Sequence, residues 1–182
     1  MTNVHPALRF SFDYLRTALM VRVESGAINM TRQGSLALFN YSKECQFDHL
    51  WDQFTMMARG LILDLEDESI VALPFVKFFN ASEKEGASVV KFDAPFDAFT
   101  KMDGSLGIVY NHNGSWHVAT RGSFTSDQSR WAEKWLDESA YVPFFRDMEE
   151  QQQAGPQVMA RGLRESMIDH RMRGSMREVQ DP

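Results

Sequence analysis

Lys101 stands in the run Thr100-Lys-Met-Asp-Gly-Ser-Leu-Gly107, a lysine followed at once by turn-forming residues. An amine attacks an electrophile only after losing its proton. The unperturbed lysine pKa is ~10.4, so about one molecule in a few thousand is ready at neutral pH. Neighbouring cations and a dry pocket raise that fraction. Lys101 closes the apolar run Phe96-Asp-Ala-Phe-Thr100, and Asp103-Gly104 lets the backbone turn tightly and approach a ligand. Three further cations have comparable settings: Arg59 opens a strand, Lys77 sits in Pro74-Phe-Val-Lys-Phe-Phe-Asn80, and Arg121 ends a strand. Cations in apolar strands are costly unless an anion answers them or their long stems carry the charge to the surface. A triphosphate is such an anion.

The elements that must position these residues are legible as alternating and helical patterns. Ser35-Leu-Ala-Leu-Phe-Asn-Tyr41 reads as a strand. Phe47, Leu50, Trp51, Phe54 and Met57 recur at helical spacing, with Asp48 near the start as a cap. Arg59-Gly-Leu-Ile-Leu-Asp-Leu65 and Ser69-Ile-Val-Ala-Leu73 form a hairpin around Glu66-Asp-Glu68. Short strands are expected at 89–92 and 97–101. Ser105-Leu-Gly-Ile-Val-Tyr110 and Ser115-Trp-His-Val-Ala-Thr120 are strands joined through an Asn-Gly turn. Residues 126–139 read as a helix with Trp131, Trp135 and Leu136 on one side. The apolar residues between Pro6 and Val23 have no clear period. The fold class is α+β, with antiparallel sheets and flanking helices, and there is no internal repeat.

The chain has 182 residues, 43% of them hydrophobic and 12% aromatic, enough for one domain with a real core and a poorly ordered end. Its formal net charge of −6 gives no whole-molecule attraction to nucleic acid, so any RNA contact must come from a local basic groove. The lone Cys45 cannot form an internal disulfide, which fits a reducing cytoplasm, and no partner base stands near it in sequence. No apolar run approaches the ~20 residues of a membrane span, and the N-terminus has no signal-peptide pattern, so partners are expected to be soluble. From Glu149 the character changes. A polar run to Pro156 leads into a segment whose basic residues are all arginine, with methionines interspersed and large apolar residues nearly gone. The expected division is therefore 1–148 as the folded domain and 149–182 as linker and weakly ordered tail.

Taken together, several of these stretches resemble, in order, motifs of the phage-type RNA ligase family. Phe39-Asn-Tyr41 resembles its tyrosine-bearing strand, and Ala58-Arg-Gly-Leu-Ile-Leu-Asp64 its Ala-Arg-Gly strand. Leu73-Pro-Phe-Val-Lys-Phe-Phe-Asn80 is very close to its Pro-Phe-x-Lys-Phe-Phe-Asn signature. Lys101-Met-Asp-Gly-Ser105 matches its Lys-x-Asp-Gly-Ser nucleophile motif, and Thr120-Arg-Gly-Ser123 resembles the next, where lysine is common at the place of Arg121. The resemblance implies part of the nucleotidyltransferase (ATP-grasp-like ligase) fold. It also implies ATP-dependent joining of RNA 5′-phosphate and 3′-hydroxyl ends through a lysyl-AMP on Lys101, assisted by Mg2+. On that basis Tyr41, Arg59, Lys77, Gly104 and Arg121 are the expected nucleotide-binding residues, with no protein metal ligands assigned. Asp103 and Ser105 are expected to shape the nucleophile loop. Phe78, Phe79, Trp131 and Trp135 are read as core rather than base-stacking residues.

Family members continue with a glutamate-bearing strand, a further glutamate motif and a lysine-rich strand that holds the α-phosphate. None is clearly present; Glu165-Ser-Met-Ile-Asp-His-Arg171 echoes the first only faintly. A truncated or frameshifted reading frame is the expectation from this. A separate chain supplying the missing half and a catalytically inactive nucleotide- or RNA-binding fragment stay open as alternatives.

Overall fold

The computed structural model describes residues 4–80, 82–83, 100 and 103–138. Lys101, most of the strands expected at 89–92 and 97–101, the boundary at 148, the 149–182 tail and the Glu165–Arg171 stretch lie outside the described residues. By internal contacts the chain divides into Met1–Glu133 and Lys134–Pro182. Of the second unit, only residues 134–138 are described.

The ambiguous N-terminal segment resolves into a 3-10 turn at Pro6–Arg9 and helix α1 at Phe12–Glu24. Ser11 caps α1 by accepting the Tyr14 N–H, and Leu15 and Leu19, one turn apart, are its buried residues. Strands β1 (Ile28–Gln33), β2 (Leu36–Tyr41), β3 (Arg59–Asp64) and β4 (Ser69–Ala72) form an antiparallel meander in chain order. The central strands β2 and β3 are covered on both faces, which is why they read as continuous apolar runs. Ala37, Phe39, Leu61 and Leu63 pack with α1 and with α3 (Gln53–Met57). Leu36, Leu38 and Ile62 pack with Ile108, Tyr110 and Ala119 of a second, two-stranded sheet, β5 (Gly107–His112) and β6 (Ser115–Thr120).

The β5–β6 turn falls at Asn113-Gly114, both with positive φ (53° and 77°), the geometry that Asn-Gly favours. Buried Asp64 joins the two sheets. Its carboxylate accepts from the Ser35 hydroxyl at 2.8 Å and lies 3.0 Å from His112 Nε2. It also accepts the Glu66 and Asp67 N–H groups at the β3–β4 turn.

The expected helix over 47–57 is two helices. α2 (Lys43–Phe47) and α3 are separated by a bend in which His49 has φ 53°. Asp48 ends α2 instead of starting a helix, and the capping residue is Asp52. Both carboxylates lie among polar residues between the apolar ones. Asp52 wins because Thr55 completes a capping box with it.

The last helix, α4, runs Asp127–Glu138. Ser126 Oγ accepts the Ser129 N–H at its start. Leu136 is buried, but Trp131 and Trp135 are 68% and 49% exposed, so neither is a core residue. No helix among the described residues is long and apolar enough to cross a membrane.

Candidate functional site

The β2–β3 pair is irregular where the expected site residues begin. Phe39 pairs with Leu61, but the next residue, Asn40, pairs with Arg59, leaving Gly60 as an extra residue on β3. Gly60 has φ +89°. A Cβ there would run into Ile108 Cδ1 and lie 3.5 Å from Arg121 Cα. Glycine is thus needed for both conformation and space. The bulge lets the residue after β6 press against the start of β3 and sets the direction of the Arg59 side chain.

Tyr41 ends β2, 5% exposed, beside Ala27 and Cys45. Its N–H donates to Ala58 O at 2.6 Å, which ties the end of β2 to the start of β3. Its hydroxyl accepts from Arg121 Nη1 at 2.9 Å, and the Arg121 guanidinium lies 5.1 Å from its ring centroid. Trp51 meets the Tyr41 ring edge-on at 5.1 Å and the Phe79 ring at 5.3 Å. Lys77 Nζ lies 3.9 Å from the Phe79 ring centroid and 5.4 Å from that of Trp51. Arg121, Tyr41, Trp51, Phe79 and Lys77 therefore form one continuous run of ring and cation contacts.

The segment carrying Lys77 has no regular structure but is fixed at several points. The Lys77 N–H donates to Met56 O of α3 at 2.8 Å, and Val76 packs on the core. Lys77 Nζ donates to Phe78 O at 2.6 Å. Arg59 Nη1 donates to Phe75 O at 3.3 Å, and its guanidinium covers the Phe78 ring at 5.1 Å. None of the ion pairs among the described residues involves Arg59 or Arg121. Two guanidinium groups held by rings and neutral oxygens keep their charge available to an anion.

The fold thus gathers four of the expected residues, Tyr41, Arg59, Lys77 and Arg121, around the bulged end of the β2–β3 pair. Gly104 has φ +129°, with nothing within 4 Å of where a Cβ would stand. Phe79 is half-buried between Trp51 and Lys77 rather than in a core cluster, and Phe78 is 55% exposed and not a core residue. Sequence reasoning misses the bridging place of Trp51 and the bulge at Gly60. Neither is local: Trp51 meets Tyr41 and Phe79 across ten and 28 positions, and the bulge leaves no signal beyond one glycine in a strand.

Among the described residues, no group of three or more His, Cys, Asp or Glu could hold a metal ion. Cys45 is fully buried, its thiol pushed up by burial, with Thr55 opposing and Asp52 adding to the rise. Such a thiol is an inert packing group.

Two comparisons with known proteins bear on the site. A family model described as RNA ligase matches residues 57–168, a stretch that holds Arg59, Lys77, Lys101, Gly104 and Arg121. A protein of Autographa californica nuclear polyhedrosis virus, named "Putative bifunctional polynucleotide kinase/RNA ligase", is 35% identical over 103 residues. That match covers 52% of this chain and 14% of the viral protein.

Proposed function

The chain belongs to the RNA ligase family, and we propose that it carries the adenylylating part of an ATP-dependent RNA ligase with Lys101 as nucleophile. Residues 1–148 form the N-terminal part of the nucleotidyltransferase domain in this reading, and 149–182 a linker and tail. The observation that supports it most is the gathering of Tyr41, Arg59, Lys77 and Arg121 at one strand end, with both arginines free of carboxylate partners among the described residues.

In the first step the Lys101 Nζ lone pair attacks the α-phosphorus of ATP. The bond to the β-phosphate bridging oxygen breaks, and pyrophosphate leaves with that electron pair. The ammonium proton is lost to solvent, and AMP stays as a phosphoramide. In this reading, cations that hold the departing phosphates also favour the neutral, nucleophilic form of the attacking lysine. Arg59 and Lys77 contact the nucleotide or its phosphates, and Arg121 is steadied by the Tyr41 hydroxyl. Gly104 permits close approach of the nucleophile loop. Mg2+, if bound with the nucleotide, would offset phosphate charge, and no ligand for it is assigned among the described residues. An RNA 5′-phosphate oxygen then attacks the same phosphorus, the P–N bond breaks and Lys101 is restored. Finally an RNA 3′-hydroxyl attacks the activated 5′-phosphate and AMP departs.

The decisive experiment is incubation of the full chain with α-labelled ATP and Mg2+, beside Lys101→Ala, followed by denaturing electrophoresis. A labelled band that depends on Lys101 is the expected result. A folded protein that binds ATP but shows no band would replace the enzyme with a nucleotide-binding module.

A further inference from the structure

The segment 74–80 presents its aromatic side chains in two different ways. Phe79 is turned inward onto Trp51, where Lys77 covers it. Phe75 and Phe78 are turned outward, 82% and 55% exposed. This outward pair is not left to drift. Arg59 grips the chain at Phe75 O and lays its guanidinium on one face of the Phe78 ring. The Lys77 N–H bond to Met56 O and the packing of Val76 hold the backbone between the two rings.

Two exposed rings on a pinned backbone, beside a guanidinium with no carboxylate partner among the described residues, match what single-stranded nucleic acid requires. Bases stack on aromatic faces without regard to sequence, and adjacent cations take the phosphates. The whole-molecule charge of −6 makes a local basic feature of this kind necessary for RNA contact. A peptide or hydrophobic partner is a poorer fit. It would gain little from Arg59, whose charge would have to be desolvated on docking.

We propose that Phe75 and Phe78 form an aromatic ledge on which bases of a single-stranded RNA end stack, with Arg59 beside it meeting the RNA backbone. The proposal rests on the RNA-ligase reading of the same site and adds a place for the polynucleotide. The ledge places a substrate strand beside the cations that serve the nucleotide, and Arg59 is the residue shared by the two.

The test measures binding of the full chain to a fluorescein-labelled, 5′-phosphorylated oligouridylate by anisotropy, without ATP. The variants are Phe75→Leu, Phe78→Leu and Phe78→Trp, each checked for an unchanged thermal midpoint. The expected result is a loss of affinity of about five- to a hundredfold for each leucine variant, with tryptophan restoring or improving it. Leucine keeps apolar bulk and removes only the π face, so leucine variants that bind as tightly as the natural chain overturn the proposal. Absence of RNA binding by the natural chain also overturns it. Adduct formation is read separately on the natural chain alone. RNA binding sensitive to the rings without an adduct removes the ligase reading and keeps the ledge. An adduct with ring-insensitive RNA binding does the reverse.

Discussion

Tyr41 and Arg121 are 80 positions apart in the chain and joined by one 2.9 Å hydrogen bond and a ring contact. Tyr41→Phe removes only the bond. A hydrogen bond of this kind is worth about 1 kcal/mol, or several-fold in an equilibrium constant. The expected outcome is a several-fold rise in the ATP KM for adduct formation with little change in thermal midpoint. An unchanged KM would mean that the ring alone positions Arg121. Gly60 makes a sharper prediction. Gly60→Ala places a methyl against Ile108 and Arg121 at φ +89°. Overpacking costs about 1–3 kcal/mol and the left-handed backbone about 1–2 kcal/mol more. Urea unfolding of Gly60→Ala should therefore show a loss of about 2–5 kcal/mol.

At the scale of elements, α3 matters more than its five residues suggest. A helix that short has no stability of its own and depends on its ends and its packing. Asp52 supplies the N-terminal end. It accepts the Phe54 and Thr55 N–H groups at 2.8 Å and pairs with Arg22 of α1 at 2.6 Å. Burial pushes the Asp52 carboxyl up, but the bonds from Arg22, Thr55 and Phe54 outweigh it and hold the group below its ordinary value. The other end of α3 offers the Met56 carbonyl that positions Lys77. Asp52→Ala should thus cost about 1–2 kcal/mol by denaturant titration, with Asp52→Asn recovering the cap but not the ion pair. Adduct formation should fall with Asp52→Ala as well, since the strap bearing Lys77 loses its support. A stability loss with full ATP affinity would show that the strap is held by Val76 and Phe79 instead.

At the scale of the molecule, Asp64 ties the meander to the β5–β6 hairpin. Burial raises its pKa, but the Asp67 N–H, the Ser35 hydroxyl, the Glu66 N–H and His112 together lower it from 3.8 to about 2. The folded value lies below the unfolded one. Asp64 therefore stabilises the fold fully above pH 3.8, and that contribution is lost as pH falls toward about 2. Urea midpoints measured across that window should drop with acid, and Asp64→Asn should flatten the drop. Equal slopes for both proteins would assign the acid sensitivity to other carboxylates.

Much of this is legible in the sequence because it is local. The apolar strands at 35–41 and 59–65, the hairpin at Glu66-Asp-Glu68 and the Asn113-Gly114 turn each rest on residues a few positions apart, and each forms as the pattern predicts. The ordered motifs that carry Arg59, Lys77, Lys101 and Arg121 likewise point to the RNA ligase family by residue type and order alone. The rest depends on contacts between distant residues. Apolar periodicity does not choose between Asp48 and Asp52; the Thr55 box, three residues on, does so locally, and the bond to Arg22, 30 residues earlier, adds a choice made only by the fold. It places Phe78, Trp131 and Trp135 in the core, since an aromatic at apolar spacing looks the same whether or not something covers it. The bulge at Gly60 meets Ile108 and Arg121, 48 and 61 positions away, and only the fold brings them there. The sequence by itself determined the family motifs, their order and most of the strands around them. Tertiary structure alone decided which of them meet, because a contact between distant positions is set by how sheets and helices pack, and no local pattern records it.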